Sequence, residues 1–387
     1  VELNSDKHLN FVMKHYSNLP LGYSMLDSGL PWLSYWVLNI FDLFGIEKYS
    51  LSTDQKQQFI IYLKHLQNKT GGFSGCAFGE SHLISSYSAV LAVILLGCEE
   101  AYELIDRKKM KDYLIKMKKQ SNVVIKDQSN NFLCSLEKYQ LKEESNQEKT
   151  RLNICGFKSN SKACFQVHDN GESDLRSTYC ALIIAYILNI LDDDLSEGIA
   201  EYIKECQTYE GGMGPEPFSE AHGGYNFCAI GSLVLLNKLD YIDINKQISW
   251  LVNKQMTLEG GFQGRTNKLV DSCYSFWQGA VFNILGEFDP KKYTYCNELI
   301  YDQLALQAYI TIACQLPSGG LVDKPGKKPD LFHLNYAGSG LSLSRKGEVE
   351  LMSSSELIEL PQIDPIFCVP KEKLYKAINY FHKLDKI

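Results

Sequence analysis

The stretch Gln67-Asn68-Lys69-Thr70-Gly71-Gly72-Phe73 returns three times, as Gln207 before Gly211-Gly212-Met213, Gln255 before Gly260-Gly261-Phe262, and Gln315 before Gly319-Gly320-Leu321. Between the first glycines of the last three copies lie 49 and then 59 residues, room for two helices and their loops. The intervening segments carry apolar residues at spacings of three and four, as in Phe59, Tyr62, Leu63, Leu66 and in Tyr87, Val90, Leu91, Ile94, Leu95, which builds one helical stripe. No alternating strand stands out. Each unit therefore reads as a helical hairpin, and stacked hairpins either extend as a solenoid or close into a ring. The distance from Gly71 to Gly211 leaves space for two further units, one of them beginning after Gln120.

A chain of 387 residues, 45% hydrophobic, can bury a large core. Its formal charge of −7 gives no general attraction for nucleic acid or an anionic bilayer, so any anion site must be local. The longest apolar runs, Tyr87 to Cys98 and Tyr179 to Ile190, fall well short of the roughly 20 residues a membrane span needs. No basic segment followed by an apolar one opens the sequence, and a cytoplasmic setting is expected. Twelve cysteines are spread from Cys76 to Cys368 with no CxxC pair, so a metal site must be assembled from distant parts of the chain. From Ser121 to about Asp169 the composition turns polar and loses its period, which predicts a long, mobile surface insertion in a single domain spanning 1–387. Its cysteines Cys134, Cys155 and Cys164 fit no metal-knuckle spacing.

Ten residues beyond the second glycine of each copy stand His82, His222, Asp271 and Asp330, each just before an apolar helix. Equivalent positions of a closed ring share one end, where helix N-termini favour an anion. Each is equally an ordinary helix cap, but the common register of all four favours a site. Asp271 and Cys273 are two apart and converge only at a helix start; carboxylate and thiolate suit zinc, and His333 in the next unit can add an imidazole, leaving a fourth position open. Cys273 is otherwise a small buried residue. Arg265, Lys268 and His222 offer three potential cations to a phosphate-bearing ligand, or are solvated charges.

These residues sit in longer runs: Pro31-Trp32-Leu33-Ser34-Tyr35-Trp36, Asp174 to Cys180, Glu220-Ala221-His222-Gly223-Gly224-Tyr225-Asn226-Phe227-Cys228, Gly260 to Trp277, and Asp323-Lys324-Pro325-Gly326-Lys327. In these runs, over about 300 residues and in the same order, the chain resembles the β subunits of the protein prenyltransferases, the farnesyltransferase type in particular. The resemblance implies an all-α fold, an α–α barrel of about six helical hairpins, and an obligate heterodimer with a crescent-shaped helical α subunit. It implies Zn2+ held by Asp271, Cys273 and His333. Diphosphate is then held by His222, Arg265, Lys268 and Tyr274. Trp32, Arg176, Tyr179, Tyr225, Cys228 and Trp277 line an isoprenoid tunnel, and Asp323 is associated with Mg2+ at the leaving diphosphate.

The implied reaction moves farnesyl from farnesyl diphosphate to the cysteine thiol of a C-terminal CaaX sequence. A thiol entering zinc's open position is deprotonated near neutral pH, and cations stabilise the departing diphosphate. Two positions depart from the family pattern. Phe332 replaces a tyrosine before the zinc histidine, and Ile84 and Ser85 replace a small residue and proline near His82, in the region that reads the last residue of the peptide. Three rivals remain. A geranylgeranyltransferase β subunit shares the zinc residues, but Trp32 and Asp323 point away from it. A terpene cyclase needs an acidic proton donor, and Asp192-Asp193-Asp194 reads as a capping loop. A non-catalytic repeat scaffold predicts no metal.

Overall fold

Thirteen of the fourteen residues of the helix Leu83–Leu96 are buried, whereas Ile244–Val252 buries three residues on one side. That contrast sorts the helices into two rings, since a helix apolar all round belongs inside and an amphipathic one outside. The computed structural model describes residues 3–45, 50–121, 162–295, 298–345 and 360–387. Among these, the inner ring comprises Leu30–Gly45, Leu83–Leu96, Leu175–Ile187, Gly223–Leu235, Tyr274–Trp277 continued by Gly279–Phe288, and Leu331–Leu343. Before each comes its outer partner: Ser5–Ser17, Thr53–Leu66, Arg107–Met117, Ile199–Glu205, Ile244–Val252, and Gln303–Ala308 widening into the π turn Tyr309–Cys314. The expected six hairpins are present.

Consecutive inner helices pack on one another, and Leu331–Leu343 packs back on Leu30–Gly45, so the ring closes. At that contact a buried Asn39 Nδ2 donates to Asn335 Oδ1 at 2.8 Å. The repeated glutamines join the outer helices. Gln207 accepts from the Asp243 amide (2.9 Å) and donates to the Asp243 carbonyl (2.9 Å), and Gln255 treats Asp302 the same way (2.9 and 2.8 Å). Gln315 completes the circle on the first helix, accepting from the Asn4 amide (2.9 Å) and lying 3.0 Å from His8 Nε2. The glycines let the chains approach: a Cβ on Gly319, at φ +92°, would stand 2.1 Å from the Lys7 carbonyl oxygen.

The interrupted unit is recognisable from its hydrogen bonds. Lys118 pairs with Phe165 as Gln67 pairs with Phe73, and the Gln166 amide donates to the Met117 carbonyl as the Ser74 amide does to Leu66. The unit placed after Gln120 therefore begins at Lys118 and resumes at Phe165, with the intervening chain set into its turn. Residues 122–161 of the expected insertion, including Cys134 and Cys155, lie outside the described residues. Its two ends form a short antiparallel ribbon, Lys118–Ser121 with Lys162–Phe165, in which Cys164 is buried. This ribbon and a second between Thr294–Tyr295 and Glu298–Leu299 are strands the helical periodicity did not announce.

All six inner helices begin at the same end, here called the mouth. Their first amides donate to the neighbouring unit's loop: Leu30 to Gly75 (2.9 Å), Leu83 to Val167 (2.7 Å), Leu175 to Pro215 (3.0 Å), Gly223 to Gly264 (2.7 Å) and Ser272 to Asp323 (2.8 Å). Leu331 closes the series on Tyr23 Oη at 2.9 Å. The opposite end is filled by the loop between Ile363 and Pro370, which is not part of the repeat. Tyr35 Oη donates to the Cys368 carbonyl (2.8 Å) and Tyr179 Oη to the Ile366 carbonyl (2.5 Å). The helix Lys371–Phe381 then packs on the second and third inner helices. Among the described residues no helix is long and apolar enough to cross a membrane.

Candidate active site

The residues ten beyond each glycine pair are indeed helix caps, and they also share the mouth. Asp174 accepts from the amides of Arg176 and Ser177, His222 Nδ1 from Gly224, Asp271 Oδ1 from Cys273 and Asp330 Oδ1 from His333. Only His82 caps nothing with its side chain. Capping has a consequence at Asp271. Because the carboxylate bends back over the first turn, Cys273 two residues on faces the same point, and His333 from the adjoining helix reaches it as well. One ligand atom from each of Asp271, Cys273 and His333 lies within 4.8 Å of the others.

The cluster is held by charge as well as geometry. His333 Nδ1 is 2.7 Å from Asp330 Oδ2, which aims Nε2 at Asp271 Oδ1, 3.4 Å away. Burial opposes a charged imidazole, but hydrogen bonds to Asp271 and Asp330 outweigh it and raise His333 to about 9. Burial likewise opposes the Asp271 carboxylate, which His333 and the Cys273 amide nevertheless hold below the ordinary range. For the Cys273 thiol, burial and the Asp271 charge act together and push it well above its usual value. Nitrogen, oxygen and sulfur donors converging in a mostly buried place, with a second carboxylate fixing the imidazole, are a set that fits zinc. Asp330 is the member of this group whose role the sequence reading missed, although its register pointed to the place.

Next to the cluster, Tyr274 lies across Gly264, where a Cβ would come within 2.0 Å of its ring. Its hydroxyl is 3.0 Å from His222 Nε2. Burial, aided by Arg265, lowers the His222 pKa, which disfavours the charged form in the chain alone. With Nδ1 accepting from Gly224, its proton sits on Nε2 and points to Tyr274, whose own proton is then available to a ligand. Arg265 pairs with Glu220 at 3.0 Å, and Lys268 is exposed on the same loop. Asp323 pairs through its carboxylate with the neighbouring Lys324, while its carbonyl accepts from Ser272 and from Tyr309 Oη (3.1 Å).

Below the mouth the inner helices present a closed circuit of aromatic rings: Trp32, Tyr87, Tyr179, Phe227, Trp277, Tyr336, Phe332, Trp36 and back to Trp32. Successive centroids are 4.3 to 5.8 Å apart. Trp32, Tyr179 and Trp277, which the resemblance assigns to the tunnel, stand in this circuit beside Tyr87, Phe227, Tyr336, Phe332 and Trp36. Tyr225 stacks edge-on with His222 (5.6 Å), and Arg176, in the first turn of Leu175–Ile187, is held by Asp174 at 2.8 Å. Cys228 is buried one turn below Tyr225.

The prenyltransferase alpha-alpha toroid domain model matches residues 3–369. The chain is 33% identical to the protein farnesyltransferase subunit beta of Schizosaccharomyces pombe over 393 residues, 98% of this chain and 90% of that one. It is 32% identical to the Arabidopsis thaliana protein of the same name, over 89% of this chain and 74% of that one. Among solved structures, Candida albicans protein geranylgeranyltransferase-I complexed with GGPP superposes with a TM-score of 0.72 at 22% identity, covering 99% of this chain and all of that one, a likeness of fold. The chain belongs to the prenyltransferase α–α toroid family and, within it, to the protein farnesyltransferase β subunits.

Proposed function

We propose that this chain carries the active site of a zinc-dependent farnesyltransferase that works with an α subunit and modifies the cysteine of CaaX-terminated proteins. The observation that carries the reading is the Asp271–Cys273–His333 cluster beside the circuit of aromatic rings, with the Phe332 ring 5.0 Å from that of His333. Zinc held there supplies a Lewis acid that lowers the pKa of a substrate thiol. Around it the chain's own residues handle the other partner. The bore takes the isoprenoid by apolar burial, while Arg265, Lys268 and the Tyr274 hydroxyl, the last fixed by His222, face the diphosphate where charge develops as the carbon–oxygen bond breaks. Arg265 must leave Glu220 to do so. Asp323, which pairs with Lys324, would hold Mg2+ shared with that diphosphate, a hard cation that would offset the charge of the leaving group.

The reading treats 1–387 as one toroid and carries a cytoplasmic setting with it. The nine described cysteines are free thiols, in keeping with a reducing compartment. The test is transfer by the chain with a matched α subunit to one CaaX peptide from farnesyl and geranylgeranyl diphosphates. Farnesyl should be preferred by at least about tenfold in kcat/KM. A reversed preference assigns the geranylgeranyl reaction, and no transfer from either, with no zinc bound, leaves a scaffold.

A further inference from the structure

Among the described residues one lysine is buried, Lys254, at 4% exposure, and no arginine is. Lysine is seldom buried without partners, and the mechanism above gives this one no task. Its place in the repeat makes it more unusual. In five turns the residue just before the repeated glutamine, or before Lys118 in the interrupted unit, offers its carbonyl to an amide of the following loop. The pairs are Leu66 with Ser74, Met117 with Gln166, Cys206 with Gly214, Lys254 with Gln263 and Cys314 with Val322. Four of these five positions hold a buried apolar residue. A charged side chain at the fifth costs desolvation that the frame itself does not require. The residue just before the left-handed loop tip departs in the same unit: it is Ala77, Asp169, Pro217 and Pro325 in the others, and here Thr266, ahead of Asn267 at φ +61°.

The two departures meet. Lys254 Nζ donates to Thr266 Oγ1 at 2.8 Å, and that hydroxyl donates to Glu210 Oε2 at 3.0 Å. Trp250 Nε1 donates to the same carboxylate oxygen at 3.2 Å, and the Lys254 ammonium lies 4.8 Å from the centre of the Trp250 ring. Burial disfavours the charge on Lys254, while the Glu210 and Glu220 carboxylates favour it. Three segments are joined in this way: the glycine turn of the preceding unit through Glu210, the end of the outer helix through Trp250 and Lys254, and the mouth loop through Thr266. Arg265 comes immediately before Thr266, and Lys268 two residues after it. The loop has a second anchor in Gln263, whose buried side-chain amide donates to the carbonyls of Lys268 (2.9 Å) and Arg265 (3.2 Å) in the orientation that satisfies both of its ends.

We propose that Lys254 and Glu210, acting through the Thr266 hydroxyl, are positioning residues for the diphosphate, because they fix the loop from which Arg265 and Lys268 meet it. The proposal rests on the reading of that loop given above. Two long cationic side chains lose conformational freedom when they close on an anion, and a backbone that is already fixed lowers the further loss on binding. The turn that carries these cations is the turn in which a buried apolar residue has become a lysine and the loop has gained a hydroxyl to receive it. The four turns without such cations keep the apolar residue.

The test uses the purified heterodimer and measures the Kd for farnesyl diphosphate and for inorganic pyrophosphate, together with zinc content and the KM of the peptide. Thr266→Val keeps the shape of the side chain and removes the hydroxyl. Lys254→Met gives this turn the side chain that Met117 supplies in the interrupted unit, so it should fold and retain zinc. Each of the two should raise the Kd for both diphosphate probes at least about tenfold, since small displacements of positioning groups have effects of this size, and leave the peptide KM and the zinc content at parent values. Thr266→Ser, which keeps the hydroxyl, should recover the parent Kd to within about threefold. An unchanged Kd in either folded variant overturns the positioning role and leaves the transferase reading intact. Equal losses for the diphosphates and the peptide, or loss of zinc, mark a general distortion of the barrel and also overturn it. A parent heterodimer that binds neither diphosphate overturns both.

Discussion

The mouth and the floor of the barrel are built by different means. At the mouth every element comes from the repeat: the caps, the amide-to-carbonyl chain between units, and the left-handed loop tips recur in register around the ring. The floor is closed by one segment outside the repeat, Ile363–Pro370, to which Tyr35 and Tyr179 donate from within. A repeated frame supplies a fixed ring of helix starts on which a few substitutions make a metal cluster. A single loop and a few aromatic rings can vary without disturbing that frame, so on the proposed reading the chemistry of the mouth and the choice of chain length can be perturbed independently.

The largest effect concerns the joint that closes the ring on which both regions depend. His8 is fully buried, accepts from the Gly320 amide through Nδ1 (3.0 Å) and meets Gln315 through Nε2. Burial lowers its pKa from 6.5 to about 4. The unfolded chain therefore binds the proton more readily, and stability falls as pH drops from about 6.5 towards 4, by about 3 kcal/mol from this group. Urea unfolding at pH 7.5 and 4.5 should show this loss in the parent and not in His8→Gln; equal losses in both would place the acid sensitivity elsewhere. At the mouth, Asp330→Asn should weaken zinc retention by about 10–100-fold, as loss of an orienting carboxylate does. Competition with a chelator measures it, and unaltered retention would make Asp330 a helix cap only.

Along the aromatic circuit, on the proposed farnesyl reading, affinity alone favours the wrong lipid. The additional isoprene of a geranylgeranyl chain would gain about 3–4 kcal/mol on burial, so selection for farnesyl must be steric. Trp32, whose ring lies 5.8 Å from Tyr87 and 5.7 Å from Trp36, is the candidate stop. Trp32→Thr should raise geranylgeranyl relative to farnesyl transfer at least about tenfold in kcat/KM, some 1.4 kcal/mol. A constant ratio in a folded, zinc-loaded variant would move the stop to Tyr179 and the Ile366 loop.

The same contrast explains what was legible in the sequence. Glycine pairs and glutamines recur, so the hairpins, the shared mouth and the polar register were readable, down to the convergence of Asp271, Cys273 and His333. The unit at Lys118 was blurred because its turn is interrupted before Phe165. The place of Tyr87, Phe227 and Tyr336 in the aromatic circuit was not readable, although Tyr87 heads an apolar stripe, because their helices are buried on nearly every side and a stripe does not say which neighbour it faces. The floor loop repeats nothing and gives no period to detect. The contacts of His222 with the Gly224 amide and the Tyr274 hydroxyl are likewise not revealed by spacing.

The central claim is that the mouth cluster binds one zinc per chain and that transfer depends on it. Elemental analysis of the purified heterodimer, with Cys273→Ala beside it and thioether formation followed on the same samples, tests this directly. The parent should carry one zinc; the variant should lose most of it and lose at least about a thousandfold in transfer while the heterodimer still forms. Full zinc occupancy with normal turnover in Cys273→Ala would contradict the account.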